Sequence, residues 1–191
     1  MRRWLERVTM LVAVLLLGYY GYVRAESYLY QRFEGRELDR LFADALVPPN
    51  TGAARYARQP PQPGTLLGRI EIPSLEVSAV ILVGTDSASL QHAVGFIPGT
   101  AVPGEPGNTG LAAHRDTFFR RLKDIRAEDE VKLTTARGSF RYRVESTQVV
   151  EPDDVWVLQP TTNPTLTLVT CYPFTYVGTA PKRFVVRAHL S

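Results

Sequence analysis

The residue with the clearest chemical potential is Cys171, the only cysteine in the 191-residue chain. A lone cysteine forms no disulfide within its own chain, so it serves either in packing or as a reactive thiol. It lies near the end of the run 164–173, in which apolar and β-branched residues alternate with threonines between two prolines. That pattern predicts a strand. A buried, inert thiol is the simplest interpretation, and a nucleophile would need a base or a cation nearby.

The chain has three histidines that could supply such a base. His92 is predicted in a loop and His189 on the outer face of the last strand, so both are expected to be surface or structural residues. His114 is different, because it ends a short apolar strand and polar residues follow it. Functional side chains often lie where an element ends and a loop begins. His114 is therefore the candidate base.

Arg183 is the third candidate. It begins the strand that follows Cys171, and the two strands are expected to pair through the loop between them. An arginine is always charged and can donate two parallel hydrogen bonds. It could hold a substrate carbonyl or a developing oxyanion. A solvated charge at the rim of the domain is the alternative interpretation of this residue.

The elements that must position these residues are mostly strands. Little of the domain has a helical pattern, apart from a short helix at 116–122 and a helical turn at 153–158. Six or seven strands with so little helix predict a closed or nearly closed β-barrel. Besides the cysteine strand, alternating or apolar runs predict strands at 66–73, 76–83, 109–114, 130–134, 139–145 and 183–190.

The N-terminus carries a second strong pattern. Three arginines at positions 2, 3 and 7 precede a charge-free run over 8–23. Counting from Trp4, the apolar stretch reaches about the 20 residues that a bilayer requires. We therefore predict a membrane anchor in preference to a cleaved signal peptide or a buried helix. The positive-inside rule then puts the N-terminus in the cytoplasm and the rest of the chain outside.

Three regions follow from these patterns. Residues 1–25 are the predicted cytoplasmic stub and transmembrane anchor, 26–64 a juxtamembrane helix and proline-rich linker, and 65–191 the β-barrel domain. The composition is globular, and the net charge of +3 comes from basic residues that are not clustered. Binding to nucleic acid is therefore not expected.

The candidate residues also lie in motifs that resemble those of the sortase family. The segment Thr167-Leu168-Val169-Thr170-Cys171 matches the sortase signature Thr-Leu-x-Thr-Cys. The segments 68–73, 111–119 and 182–188 resemble the strand that opens the sortase barrel, the histidine motif and the arginine strand. The resemblance covers roughly 65–190, with the motifs in the family's order. It is strongest to class D, with class E next, and Ala113 departs from the glycine that usually precedes the histidine.

The resemblance implies a mostly β fold, a sortase-like closed barrel of about seven to eight strands with one or two short helices. It also implies a membrane-anchored cysteine transpeptidase on the cell surface. Such an enzyme cleaves a C-terminal signal of the Leu-Pro-x-Thr-Gly or Leu-Pro-x-Thr-Ala kind after threonine. It transfers the surface protein, held as a thioester, to an amine acceptor such as a cell-wall precursor or a pilin.

The same resemblance assigns roles to individual residues. Cys171 would be the nucleophile, His114 the acid and base, and Arg183 the group that stabilises the oxyanion. Leu168 and Thr170 would help to bind the substrate. No cofactor is expected, and no metal, because the acidic residues Glu105, Glu128 and Asp129 lack a recognisable ligand spacing.

Two alternatives differ from this interpretation. The first is another extracytoplasmic cysteine acyl-transferase, of the L,D-transpeptidase kind, although the Ser-His-Gly-Cys arrangement of that family is absent. The second is a non-enzymatic anchored β-domain in which Cys171 is only packed. Reactivity of the thiol toward an alkylating reagent would separate the second from both enzymes.

Overall fold

The computed structural model describes Trp4 and residues 6–22, 62–176 and 178–191. Residues 6–22 form a helix inside the predicted anchor. Among the residues described, no helix combines the length and apolar character that crossing a membrane requires. The predicted transmembrane helix is therefore not supported by the described part of the chain. The predicted juxtamembrane helix and most of the predicted linker lie outside the described residues.

The described residues form eight strands: β1 Leu66–Ile72, β2 Val77–Val83, β3 Val94–Phe96, β4 Asn108–Ala112, β5 Glu130–Thr135, β6 Gly138–Val150, β7 Thr165–Tyr172 and β8 Lys182–Leu190. They close into a barrel in the order β1-β2-β3-β4-β7-β8-β6-β5. The pairs β2–β3 and β4–β7 are parallel, and the other pairs are antiparallel. This architecture confirms the predicted mostly β, closed barrel.

Alternation along the strands explains the closed form. In β1, Ile70 and Ile72 are fully buried while Arg69 and Glu71 are half-buried, so one face of the strand is apolar. Each strand can bury such a face only against the others, and a closed barrel does this without leaving a free sheet edge. The interior also holds Tyr142, and burial raises the pKa of its phenol.

The short helical elements differ most from the sequence prediction. An α-helix, Ser87–His92, occupies part of a region predicted to be loop, and His92 lies on it. Its N-cap is Asp86, whose carboxylate accepts hydrogen bonds from the side chain and backbone of Ser89 at 2.6 and 3.0 Å. These bonds lower the pKa of the Asp86 carboxyl. The helix expected at 116–122 is instead a 3₁₀ helix, Arg120–Asp124, and further 3₁₀ turns span Pro73–Leu75 and Val155–Leu158.

Gly104 is required by the turn before β4. Its φ is +86°, its N–H donates to Tyr142 Oη at 3.0 Å, and an added Cβ would lie 2.0 Å from the Phe140 ring. Gly104→Ala is expected to lower the free energy of unfolding by about 2–3 kcal/mol, since it combines backbone strain with a collision. Chemical denaturation measures this.

Gly99→Ala is the matched control for Gly104→Ala. Gly99 has the same φ of +86° but no atom within 4 Å of an added Cβ. Gly99→Ala should lower the free energy of unfolding by only about 1–2 kcal/mol, the cost of the left-handed backbone conformation. Equal losses in the two variants would show that the contact with Phe140 contributes nothing.

Candidate active site

Three neighbouring strands, β4, β7 and β8, bring the three predicted catalytic residues together. Cys171 pairs directly with Arg183 across β7 and β8. On the other side of β7, Ala112 pairs with Val169, and the Ala113 N–H still donates to the Val169 carbonyl at 3.3 Å. Continuing this parallel register puts His114 beside Cys171. Because neighbouring strands lie about 4.8 Å apart, this register brings the backbones of the histidine and the arginine to either side of the cysteine.

The site lies on the outer face of the barrel. Leu166 and Leu168 belong to the central core, whereas Val169 packs outside it against Val185 and Val157. Because side chains alternate along a strand, Cys171 lies on the same face as Val169. The thiol is only partly buried. A peptide could therefore approach Cys171 without entering the barrel.

Leu168 and Thr170, predicted to bind substrate, lie on the opposite face. Their exposures are 0% and 2%, and Leu168 is part of the central core. Thr170 Oγ1 donates to the Ala113 carbonyl at 2.8 Å. Their burial does not support a direct contact with substrate, because odd-numbered positions of β7 face outward and even-numbered positions face inward. Thr170 instead links Ala113, the residue that precedes His114, to β7 through this hydrogen bond.

The guanidinium of Arg183 keeps donors free for another acceptor. Its Nη1 donates to the carbonyls of Lys182 and Ala180 at 3.0 and 3.3 Å. In the described ranges, no carboxylate lies within ion-pair distance of it. Arginine has five N–H donors, so most of them remain for a bound group.

A polar cluster fixes the loop between β6 and β7 beside this face. Asn108 is 1% exposed, and its Nδ2 donates to the carbonyls of Val157 and Gln159 at 2.9 and 3.2 Å. Its Oδ1 accepts from Thr167 Oγ1 at 2.7 Å, and Arg187 Nη2 also donates to the Val157 carbonyl, at 3.2 Å. The cluster therefore holds the 3₁₀ turn against the outer face. No pattern in the sequence marks Asn108, which follows a turn-rich segment and begins β4.

Replacing Asn108 tests that role. Asn108→Ala is expected to lower the free energy of unfolding by about 2–3 kcal/mol, since it leaves buried partners without hydrogen bonds. Asn108→Asp should be at least as harmful, because a carboxylate would face two carbonyl oxygens. Limited proteolysis should cut both variants faster within 151–164. Unchanged cleavage there, with unchanged stability, would contradict the role.

Two of the three acidic residues considered for a metal have other partners in the structure. Glu105 forms an ion pair with Arg137, and Asp129 Oδ2 accepts from the Arg126 N–H at 2.8 Å. No group of three or more His, Cys, Asp or Glu side chains suited to a metal ion occurs within the described ranges.

The sequence and the barrel both match a family of cysteine transpeptidases, and this match confirms the predicted sortase-like fold. The chain belongs to the sortase family, whose sortase-domain model matches residues 70–191. The solved structure of a Clostridium perfringens Sortase D5 transpeptidase superposes with a TM-score of 0.70 at 27% identity, covering 83% of this chain and 98% of that one.

Two sequence relatives support the same family. Sortase D of Bacillus subtilis (strain 168) is 37% identical over 127 residues, which are 66% of this chain and 64% of the relative. Sortase A of Listeria monocytogenes is 29% identical over 124 residues, which are 63% of this chain and 53% of the relative. The chain thus matches less than two thirds of the length of either relative.

Proposed function

We propose that this chain is a transpeptidase that cuts a C-terminal sorting signal after threonine and joins the new C-terminus to an amine acceptor. The register across β4, β7 and β8 supports the proposal, because it pairs Cys171 with Arg183 on one side and, on the other, ends two residues before His114. The substrate is a surface protein bearing the signal. The acceptor is an amine of a cell-wall precursor or a pilin.

The first half of the reaction forms a thioester. The thiolate of Cys171 attacks the carbonyl carbon of the threonine, and the guanidinium of Arg183 stabilises the oxyanion that develops. The C–N bond then breaks as His114 gives its proton to the departing amine. The thioester C–S bond replaces the peptide bond, and the segment after threonine leaves.

The second half reverses these steps with a new amine. His114, now neutral, takes a proton from the acceptor amine as its nitrogen attacks the thioester carbonyl. Arg183 stabilises the second oxyanion. A new C–N bond forms, the C–S bond breaks, and Cys171 leaves as a thiolate ready for another cycle.

The signal is of the Leu-Pro-x-Thr-Gly or Leu-Pro-x-Thr-Ala kind. The class D resemblance of the motifs favours this choice, and the 37% identity to a protein named Sortase D is consistent with it. The outer face beside Cys171 offers two half-buried apolar side chains to such a peptide, those of Ala112 and Val169. A Leu-Pro pair would bury apolar area there.

Peptide cleavage tests the proposal. Wild-type protein is incubated with peptides of both kinds and an excess of a primary amine, and mass spectrometry identifies the products. We expect cleavage after threonine and attachment of the amine to the new C-terminus. Reversed-sequence peptides of equal composition should stay intact. Cleavage at another bond, or none in the whole panel, would contradict the proposal.

The boundary of the catalytic domain gives a separate prediction. Gly64 N–H donates to the Val83 carbonyl at 2.7 Å, and Thr65 contacts the Gln62 carbonyl. A fragment starting at Gln62 keeps these contacts, and we expect it to fold cooperatively and to cleave peptide as the full chain does. Circular dichroism and the cleavage assay check this. An unfolded fragment would show that the domain begins earlier than residue 65.

The proposed place of action is the extracytoplasmic cell surface, because the proposed substrate is a surface protein. Accessibility of Cys171 to a membrane-impermeant thiol reagent on intact cells tests this. Labelling only after lysis would contradict it.

A further inference from the structure

The residue that follows His114 reaches across the site to a different loop. Arg115 Nη2 donates to the carbonyls of Tyr176 and Gly178 at 2.7 and 3.0 Å. Its guanidinium carbon also lies 5.8 Å from the centroid of the Tyr176 ring, within cation–π range. The two carbonyls lie more than 60 positions further along the chain. These contacts join the β4 end of the site to the loop between β7 and β8, residues 173–181.

That loop begins and ends at the other two site residues. It leaves β7 just after Cys171 and enters β8 just before Arg183. The side chain of Arg183 donates to the Ala180 and Lys182 carbonyls at the far end of the loop. One arginine therefore holds the loop from the β8 side, and Arg115 holds it from the β4 side.

Aromatic packing fixes the base of the loop but not its middle. Phe174 lies 5.3 Å from Phe184 and 6.1 Å from Tyr172, between ring centroids. Tyr176, in contrast, is 48% exposed and is held by Arg115. Among the described residues of the loop's middle, the contacts to Arg115 are thus the main attachment to the rest of the domain.

We propose that Arg115 is a positioning residue that clasps the β7–β8 loop to the segment carrying His114. This inference rests on the proposed function. Arg115 directly follows His114 in the chain, so a shift of the Arg115 backbone also shifts the backbone of His114. The clasp sets the separation between the imidazole of His114 and the thiol of Cys171. Displacements of about 1 Å in such an arrangement cost up to 10²-fold in rate.

The chemistry of the clasp requires an arginine. The bonds are charge-assisted, and a planar guanidinium can present one nitrogen to two carbonyls while its face stays against an aromatic ring. A lysine has the charge but no planar group that could lie on the ring while donating to both carbonyls, so it should restore only part of the effect.

Three variants test the clasp by kinetics. Arg115→Ala should lower kcat for peptide cleavage about 10-fold or more, with KM changed less than about 2-fold. The reason is that the variant alters the geometry of the reacting groups and not the surface that binds the peptide. Arg115→Lys should fall between Arg115→Ala and wild type. Arg121→Ala is the matched control, since Arg121 also donates to a backbone carbonyl of a distant element, that of Leu75 in the 3₁₀ turn, and pairs with Glu76. It should remain within about 2-fold of wild type.

Hydrogen exchange supplies a readout that does not depend on turnover. In Arg115→Ala the amides of 174–181 should exchange faster, while those of β1 stay protected as in wild type. Arg121→Ala should leave the loop unchanged. If Arg115→Ala fails to fold, Arg115→Lys carries the same comparison with smaller expected changes.

Two results would overturn the inference. One is unchanged exchange in 174–181 in both Arg115 variants. The other is a rise in KM with kcat unaffected, which would make Arg115 part of substrate binding. An inactive wild-type protein would instead refute the proposed function, and the exchange comparison would still decide whether the clasp exists.

Discussion

Replacing Cys171 with alanine is expected to abolish peptide cleavage, and replacing His114 with alanine is expected to reduce it about 10²–10⁴-fold. The first change removes the nucleophile. The second removes the proton that the departing amine needs, and general acid catalysis is worth that range. Steady-state kinetics with a sorting-signal peptide, read by chromatography of the released fragment, measures both.

The other two histidines provide internal controls for His114. His189 pairs with Thr165 and Arg143 at the far end of β8, and His92 lies on the short helix after β2. Alanine at either position should leave cleavage within about 2-fold of wild type, as expected of changes away from the chemistry. A loss at His92 or His189 equal to that at His114 would show that His114 is not the acid.

Replacing Arg183 with lysine is expected to lower kcat about 10²-fold, the scale seen when one donor to an oxyanion is removed. Lysine retains the positive charge. It has no planar fork, however, and cannot hold the Ala180 and Lys182 carbonyls while also donating to substrate. The loss therefore reports on geometry and not on charge.

Arg141→Lys is the matched control for Arg183→Lys. The Arg141 side chain is 66% exposed and lies 3.9 Å from Glu130, so lysine should replace it with almost no change. Both variants should unfold at nearly the wild-type denaturant concentration. Small, equal kinetic effects at the two positions would reduce Arg183 to a charge at the rim of the barrel.

The sequence predicted the barrel because the longer strands each bury one face. The alternation of Ile70 and Ile72 with charged neighbours in β1 is visible without a structure. By contrast, β3 spans only Val94–Phe96, too short for a period-two pattern to stand out, and it was missed. The helix Ser87–His92 was missed because its cap at Asp86 was not recognised.

The candidate active site, like the fold, could be predicted only in part from the sequence. The pairing of the Cys171 and Arg183 strands was predicted, but the position of His114 depends on the parallel pairing of β4 with β7, which joins distant segments. Leu168 and Thr170 were assigned to substrate binding because they belong to the signature. The alternation in that same signature already puts them on the face opposite Cys171. The roles of Asn108 and Arg115 depend on loop geometry, and no pattern in the sequence predicts them.

The most direct test of the account is the intact mass of the protein during turnover. Wild-type protein mixed with a sorting-signal peptide, and no added amine, should gain the mass of the fragment ending in threonine. Hydroxylamine should remove that mass, because a thioester is readily attacked by a strong amine nucleophile. Cys171→Ala should gain nothing. If no peptide of the panel produced an adduct dependent on Cys171, and the thiol also resisted alkylation, Cys171 would be a packed residue and the account would be wrong.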